Sequence, residues 1–456
     1  MSALNQYIEL YKANRQAICR NSAGALNDAR SGALASLEGA SLPVKGDEDY
    51  EVTSLEDVFA PDYGVNINRV NLGANPAEAF RCDVPNMSTC MYFLFNDAFH
   101  PGKNAANSLP GGVVIKSLKE AAAENPELVA RYYNKAASAS GCKQTALNTL
   151  LVQDGIFVYV PKGVVVEKPI QLVNILNSGA PLMVNRRMLI VLEEEAQARM
   201  LVCDHTQNCG VDYLVSQVVE IFAGDNAVFD YYDIEDSSAG TSRVSSFYVS
   251  QKAGSNLMID GITLMNGFTR NNYIVDLAGE GTELHLYGMA MANGDRHIDN
   301  HTVVRHRAKG GHTDELFKYV LDGNAVGSFS GLVQVCPGAE KTEASQNNKN
   351  ICASEGARMY SKPQLLIDCD DVKCSHGSST GQLDKQALFY MRQRGIPEHD
   401  ARLMLMQAFM NDVIAGVRME SLKDRLRHLV ENRFLGSGTS CRTCPSTCHK
   451  TDKKDA

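Results

Sequence analysis

The stretch Asp368-Cys369-Asp370-Asp371-Val372-Lys373-Cys374-Ser375-His376 gathers thiols, carboxylates and an imidazole within nine residues. If it is extended, side chains alternate, and Cys374 and His376 share a face with Asp370. A thiol and an imidazole together can bind a soft metal, or the imidazole can lower the thiol's pKa. Two ligands do not complete a tetrahedral site, so the rest would come from elsewhere. The competing reading is a buried cysteine beside a hydrogen-bonded histidine. A second set closes the chain: Cys441, Cys444, Cys448 and His449. Three thiolates and an imidazole can close a zinc site or hold an iron–sulfur cluster, although a short motif at a polar terminus is a weak signal. His297, His301, His306 and His312 form a third group. His297 and His301 share strand parity and His306 has the opposite one, so a polar strand face is the expectation. Cys203-Asp204-His205 with Cys209 is open to either reading.

Other motifs exclude chemistry. No G-x-x-x-x-G-K-[ST] phosphate loop occurs, so the chain is not expected to hydrolyse ATP, and H-E-x-x-H is absent. Gly377-Ser378-Ser379-Thr380-Gly381 matches the G-x-S-x-G nucleophile elbow. Its triad partners would be Asp400 and His428, which both fall on helical patterns where no late strand could present them.

These residues need a frame. Residues 1–150 read as helical and irregular, with Leu4, Ile8, Tyr11 and Arg15 at helical spacing and Asn125-Pro126 restarting a helix. Prolines 61, 76, 85, 101 and 110 interrupt any long element between. Residues 151–376 are a succession of short β-rich runs, among them Ile156–Val160, Ile170–Ile175, Met188–Leu192, Tyr213–Phe222, Val244–Ser250 and Asn272–Leu277, with no helix-length pattern separating them. A turn phrase starts at Ala223, Ala253 and Ala278, and loosely at Asp322. A period of about 20–30 residues without helices indicates a mainly β fold, a β-solenoid, with a β-sandwich as the alternative. Residues 377–435 return to helix. On Pro397–Val417, Leu405, Phe409, Val413 and Val417 form one apolar stripe and Met406, Met410 and Ile414 another. One stripe is core packing, and the surplus is read as partner docking through Leu405, Phe409, Met410 and Val413. Residues 436–456 form a polar tail, expected to be disordered and dispensable for assembly.

Lys and Arg number 44 against 53 Asp and Glu, a net charge of −9 that argues against coating nucleic acid. No apolar run approaches the ~18 residues of a membrane span. Glu9 stands where a signal peptide would carry its apolar core, and thirteen scattered cysteines do not form a secreted disulfide framework. A cytoplasmic protein is expected.

The phrases Pro363-Gln364-Leu365, Asp371–Gly377, Gly381-Gln382-Leu383-Asp384, Ala387–Tyr390 and Arg394-Gly395-Ile396 closely resemble the SufB/SufD family of the SUF iron–sulfur cluster assembly system. So do Asp299-Asn300-His301-Thr302 and Glu315-Leu316-Phe317-Lys318. The resemblance covers about residues 110–435. It implies a right-handed parallel β-helix between helical regions, pairing with a SufB paralogue, and a C-terminal domain engaging the SufC ATPase. It further implies sulfur arriving from a cysteine desulfurase and a transient Fe–S cluster shared with the partner. His376 matches the family's histidine at the SufB–SufD interface. Cys374 gains less, because the family's scaffold cysteine belongs to SufB. SufB-like chains carry Thr-Gln-Cys-Asp where Ser345-Gln346-Asn347-Asn348 stands, and glutamate where Gly377 stands, so the SufD branch fits better. The cysteine tail is outside the family pattern, and no residue pattern speaks for or against a flavin.

Three functions therefore compete. The first is a non-catalytic scaffold subunit of a cluster-assembly ATPase complex. The second is a stand-alone metal or cluster carrier using the tail. The third is a β-helix polysaccharide enzyme, which would call for an export signal and a groove lined with charged side chains.

Overall fold

The computed structural model describes residues 2–70, 88–102 and 109–434. Its centre is a parallel β-solenoid of about eight turns with helices at both termini. One sheet runs Ile156–Val160, Leu182–Leu192, Tyr213–Ala223, Thr241–Gln251, Phe268–Leu277, His297–His306, Val326–Val335, Arg358–Ile367. The other runs Ile170–Leu176, Gln197–Thr206, Val228–Asp236, Asn256–Met265, Glu283–Ala292, His312–Leu321, Glu343–Cys352, Lys373–Gly381. Chain order alternates between the sheets, and neighbouring strands pair in parallel, one turn apart.

Alternation along each strand sends every second side chain inward. The inward positions carry Ile190, Val219, Phe247, Tyr273, Phe317 and Phe329. Phe247 and Tyr273 stack with ring centroids 4.8 Å apart, and Phe317 and Phe329 lie 4.9 Å apart. Burying side chains of this size contributes about 1.5–3 kcal/mol each.

One corner of the solenoid explains the turn phrase and corrects its spacing. Glu195, Asn226, Gly254, Gly281, Gly310, Lys341 and Asp371 all have positive φ, one per turn. In all but the last of these, Asp371, the N–H donates to a carbonyl one turn on, as in Asn226 to Ala253, Gly254 to Glu280 and Gly281 to Lys309, at 2.8–2.9 Å. The structural repeat is this left-handed residue, and the Ala-Gly pair slides against it. The phrase at Asp322 belongs to the opposite corner, where Asn324 N–H donates to Gly294.

The chain closes the start of the solenoid itself. The hairpin Cys90–Phe95 and Ala98–Pro101 extends the second sheet, and Val114–Ser117 pairs antiparallel with the first. Helices Ala3–Arg20, Gly24–Leu37 and Lys143–Leu151 belong to the cover. Arg30 stitches them together by donating to the carbonyls of Thr149, Leu150 and Val152. Beyond the other end stand three helices, Lys385–Gln393, Glu398–Gly416 and Glu420–Phe434. The last two fold back onto the outer face of the second sheet. There Met410, Val413, Ile414, Leu422 and Leu426 pack with Met258, Ile262, Met289 and Val320. No described helix is long and apolar enough to cross a membrane.

Candidate functional site

The last turn is the part of the solenoid on which no further described strand pairs, its one ion pair to the N-terminal region among the described residues being Lys362 with Glu51 at 2.8 Å. Arg358–Ile367 pairs only with Val326–Val335, and Lys373–Gly381 only with Glu343–Cys352. Neither strand has a fully buried residue. Cys374 and His376 stand in register with Ala344 and Gln346 of the preceding turn. They therefore share the inward parity, at the mouth where the interior opens. Cys374 is half-buried, and burial pushes its thiol pKa up, which disfavours a reactive thiolate. His376 is exposed.

Asp370 does not join them. The strand begins at Lys373, and Asp368–Val372 forms the corner that carries the left-handed Asp371. Cys374 and His376 lie on extended strand backbone and Asp370 does not. The stretch Gly377–Gly381 lies inside the same strand, so no strand-to-helix elbow presents Ser379. Asp400 and His428 sit on the two C-terminal helices.

Under the last turn, the interior changes from aromatic to polar. Thr302 donates to Glu315 at 2.8 Å across the interior, and Gln346 Nε2 donates to the other Glu315 oxygen at 3.3 Å. Asn350 donates to Asn348, and Ser361 Oγ donates to Asn348 while lying 2.7 Å from Ser378 Oγ. Glu315 is wholly buried, and desolvation lifts its pKa to about 7.

Deeper in the same interior lies a charged network absent from the sequence reading. Arg243 spans Asp204, Asp233 and Glu235, and Arg186 joins Asp204 at 2.9 Å. Burial alone would raise Asp204, but Arg186 and Arg243 outweigh it and hold the carboxyl below its ordinary range. Glu235, farther from that balance, is lifted by burial to about 7. The signal available in the sequence was the set of polar residues at inward parity within apolar strands.

The other predicted residues separate. His297 bonds Thr53 at 3.0 Å, and His301 lies 3.9 Å from Asp49, so both stand beneath residues 49–53, which lie against the first sheet. His306 faces the interior and bonds Thr313. Burial, with Arg270 nearby, lowers His301 to about 4, and burial, with His312 nearby, lowers His306 to about 4. His306 is buried and His297 and His301 are half-buried, and they lie on two faces of the first sheet. Asp204 points inward to the arginines while Cys203 packs outward among the apolar residues beneath the C-terminal helices, and Cys209 is exposed. Cys441, Cys444, Cys448 and His449 lie outside the described residues. Among the described residues no three His, Cys, Asp or Glu side chains converge into a ready metal site.

The docking stripe requires correction. Met410 and Val413 are fully buried in the chain's own core. Leu405 and Phe409 are partly buried against the same cluster. Helix Glu398–Gly416 packs on the sheet and against the final helix, which also lies on the sheet, so both apolar stripes are used internally. The exposed apolar side chains here are Phe389, Tyr390 and Met404.

Two family models cover the chain. The model described as SUF system FeS cluster assembly, SufBD core domain, matches residues 174–409, and that of the SufBD protein N-terminal region matches residues 1–172. An iron–sulfur cluster assembly SufBD family protein of Synechocystis is 29% identical over 414 residues, covering 89% of this chain and 90% of the relative. The iron–sulfur cluster assembly protein SufD of Bacillus subtilis is 30% identical over 328 residues, or 71% of this chain and 74% of the relative. SufD of Escherichia coli is 33% identical over 167 residues, covering 37% and 40%.

Proposed function

The chain belongs to the SufBD family of the SUF iron–sulfur cluster assembly system, and from that premise we propose that it is the SufD-type, non-catalytic scaffold subunit. Its open end pairs with a SufB paralogue, and its C-terminal helices dock the SufC ATPase. The observation that carries this reading is the uncovered last turn. Two unpaired strand edges there flank a polar mouth bearing the exposed His376. Unpaired edges invite pairing with another chain, and a homologous solenoid end is the natural complement.

In this reading His376 offers a neutral imidazole to iron held by a cysteine of the partner, with sulfur delivered by the cysteine desulfurase system. A low-symmetry site shared by two chains suits a cluster that must leave again. Cys374, with its raised pKa, contributes less. The ATPase surface moves from Met410 and Val413 to the exposed Phe389, Tyr390 and Met404.

The test separates assembly from chemistry. Co-expressed with its paralogue and the ATPase, His376→Ala is expected to purify as an intact complex that yields no cluster after anaerobic reconstitution. Cys374→Ala should retain most of the bound iron and sulfide. Normal cluster yield from His376→Ala would remove the assignment, and dissociation would make the residue structural.

A further inference from the structure

Three successive layers at the open end place Thr302 with Glu315, then Gly331 with Gln346, then Pro363 with His376. Within the second sheet, Glu315, Gln346 and His376 are direct register neighbours on adjacent parallel strands, all of inward parity. Adjacent strands lie about 4.8 Å apart, which lets same-face side chains of this length touch.

Two unpartnered polar side-chain groups are neighbours in register here. Gln346 is almost wholly buried and spends its Nε2 on Glu315, yet its Oε1 has no hydrogen-bond partner. A buried amide oxygen left unpaired costs about 1–3 kcal/mol, so its position demands a donor. The side chain of His376, next in register, has no hydrogen bond or ion pair among the described residues. Space for the glutamine is built in: a Cβ on Gly331 would come within 2.5 Å of Gln346 Nε2 and 2.9 Å of its Cδ. Gly331 therefore keeps Gln346 reaching across the interior toward Glu315. Thr302 holds the far oxygen of Glu315.

We propose that Gln346 is a positioning residue for His376, with its Oε1 accepting one imidazole N–H while Glu315 and Thr302 fix the amide from behind. A hydrogen bond at one ring nitrogen sets the tautomer and leaves the other nitrogen as a lone pair. The row Thr302, Glu315, Gln346 thus presents His376 at the mouth as an oriented soft ligand for a metal ion. The orientation comes from the polar interior of this chain, before any partner arrives. This proposal rests on the role given to His376 above, but its first readout does not.

The experiment uses the full chain with 15N-labelled imidazoles, His376 being assigned by the resonance missing from His376→Ala. One dominant tautomer is expected in the parent chain. Gln346→Leu, which keeps the volume and removes the acceptor, should move the populations toward those of free imidazole. Gln346→Glu keeps an acceptor oxygen and should restore the dominant tautomer. If Gln346→Leu does not fold, Glu315→Gln supplies the same readout, with a smaller shift in the same direction because the amide loses its anchor. An unchanged tautomer in the folded variant overturns the proposal. In the assembled complex, Gln346→Leu should lower cluster yield on the order of tenfold, the usual cost of losing a ligand's orienting partner. A tautomer shift with full cluster yield would support the hydrogen bond and overturn the role of His376 in cluster formation.

Discussion

The two ends of the solenoid are built from the same strand geometry and finished in opposite ways. At the start, Ile156–Val160 and Ile170–Leu176 are almost entirely buried, and antiparallel strands and helices of the same chain close them over. At the finish, Arg358–Ile367 and Lys373–Gly381 have no fully buried residue, and the inward parity carries Cys374, His376, Ser378 and Thr380 on one strand and Met359, Ser361, Pro363, Leu365 and Ile367 on the other. An apolar interior must be capped by its own chain or the protein aggregates. An interior that mixes polar with apolar side chains leaves less apolar surface to be covered. The proposed pairing at the open end rests on this difference.

The sharpest way to break this contrast is to place one charge at each end. Leu172→Asp buries an unpaired carboxylate among Ile156, Ile170 and Ile190 and is expected to cost more than about 4 kcal/mol, leaving no folded chain. Ser378→Asp, at the same parity in the last turn, should melt within a few degrees of the parent, yet it should fail to co-purify with the paralogue. Circular dichroism and a pull-down decide both. A folded Leu172→Asp, or a Ser378→Asp that binds normally, would erase the distinction.

The C-terminal helices repeat the contrast on a single element. Met410→Ala should destabilise by about 2–5 kcal/mol in urea, because the side chain is enclosed between sheet and helix. Met404→Ala, half exposed on the same helix, should change stability by less than about 0.5 kcal/mol and weaken ATPase binding instead.

These pairs also show what the sequence could carry. The solenoid was legible because the recurring phrases that contain Gly254 and Gly281 mark corners and the apolar runs mark the walls. Strand starts were not. Leu182–Leu192 was read from Met188 onward, since Asn185, Arg186 and Arg187 look like a loop. They are instead buried, with Arg186 paired to Asp204 and Arg187 to Glu220. Thr241–Gln251 lost its start the same way, at Arg243. Composition cannot distinguish a solvated arginine from one whose countercharge arrives a turn later. The stripes on Glu398–Gly416 failed for a related reason: periodicity counts apolar faces but does not say which chain covers them. Cys374 and His376 were legible as a pair from strand parity, whereas Glu315 and Gln346 behind them needed the register.

Between the two ends, the wall under the C-terminal helices contains a carboxyl with no counterpart. Asp260 is wholly buried, neither oxygen has a hydrogen-bond partner, and desolvation lifts its pKa to about 8. The unfolded value is about 3.9, so between these limits the folded state holds a proton that the unfolded state has lost. Stability from this site is therefore greatest below about pH 4 and falls as pH rises toward 8. Asp260→Asn removes the titration. The melting temperature of the variant should gain on the parent progressively from pH 5 to pH 8, by at least a few degrees. Parallel pH profiles for the two proteins would show that Asp260 is paired in solution.

The smallest effect expected is at the corner of the last turn, and it tests whether the open end is imperfectly built or only uncovered. Gly254, Gly281 and Gly310 hold left-handed conformations in mid-solenoid, and Asp371 occupies the equivalent place with φ 57°. A left-handed conformation costs an L-residue roughly 1–2 kcal/mol relative to glycine, less for aspartate, whose short side chain can bond locally. Its carbonyl still completes the ladder by accepting from Lys341 N–H at 2.8 Å. Asp371→Gly should therefore relieve strain while keeping that bond, although glycine also loses more entropy on folding. The net expectation is a gain of about 0.5 kcal/mol in urea unfolding, with partner binding and cluster yield unchanged. Gly281→Ala, the reverse change in open space, should lose about 1 kcal/mol. If Asp371→Gly instead weakens association with the paralogue, the aspartate belongs to the interface, and the boundary between solenoid and partner lies one corner further out than the strands alone indicate.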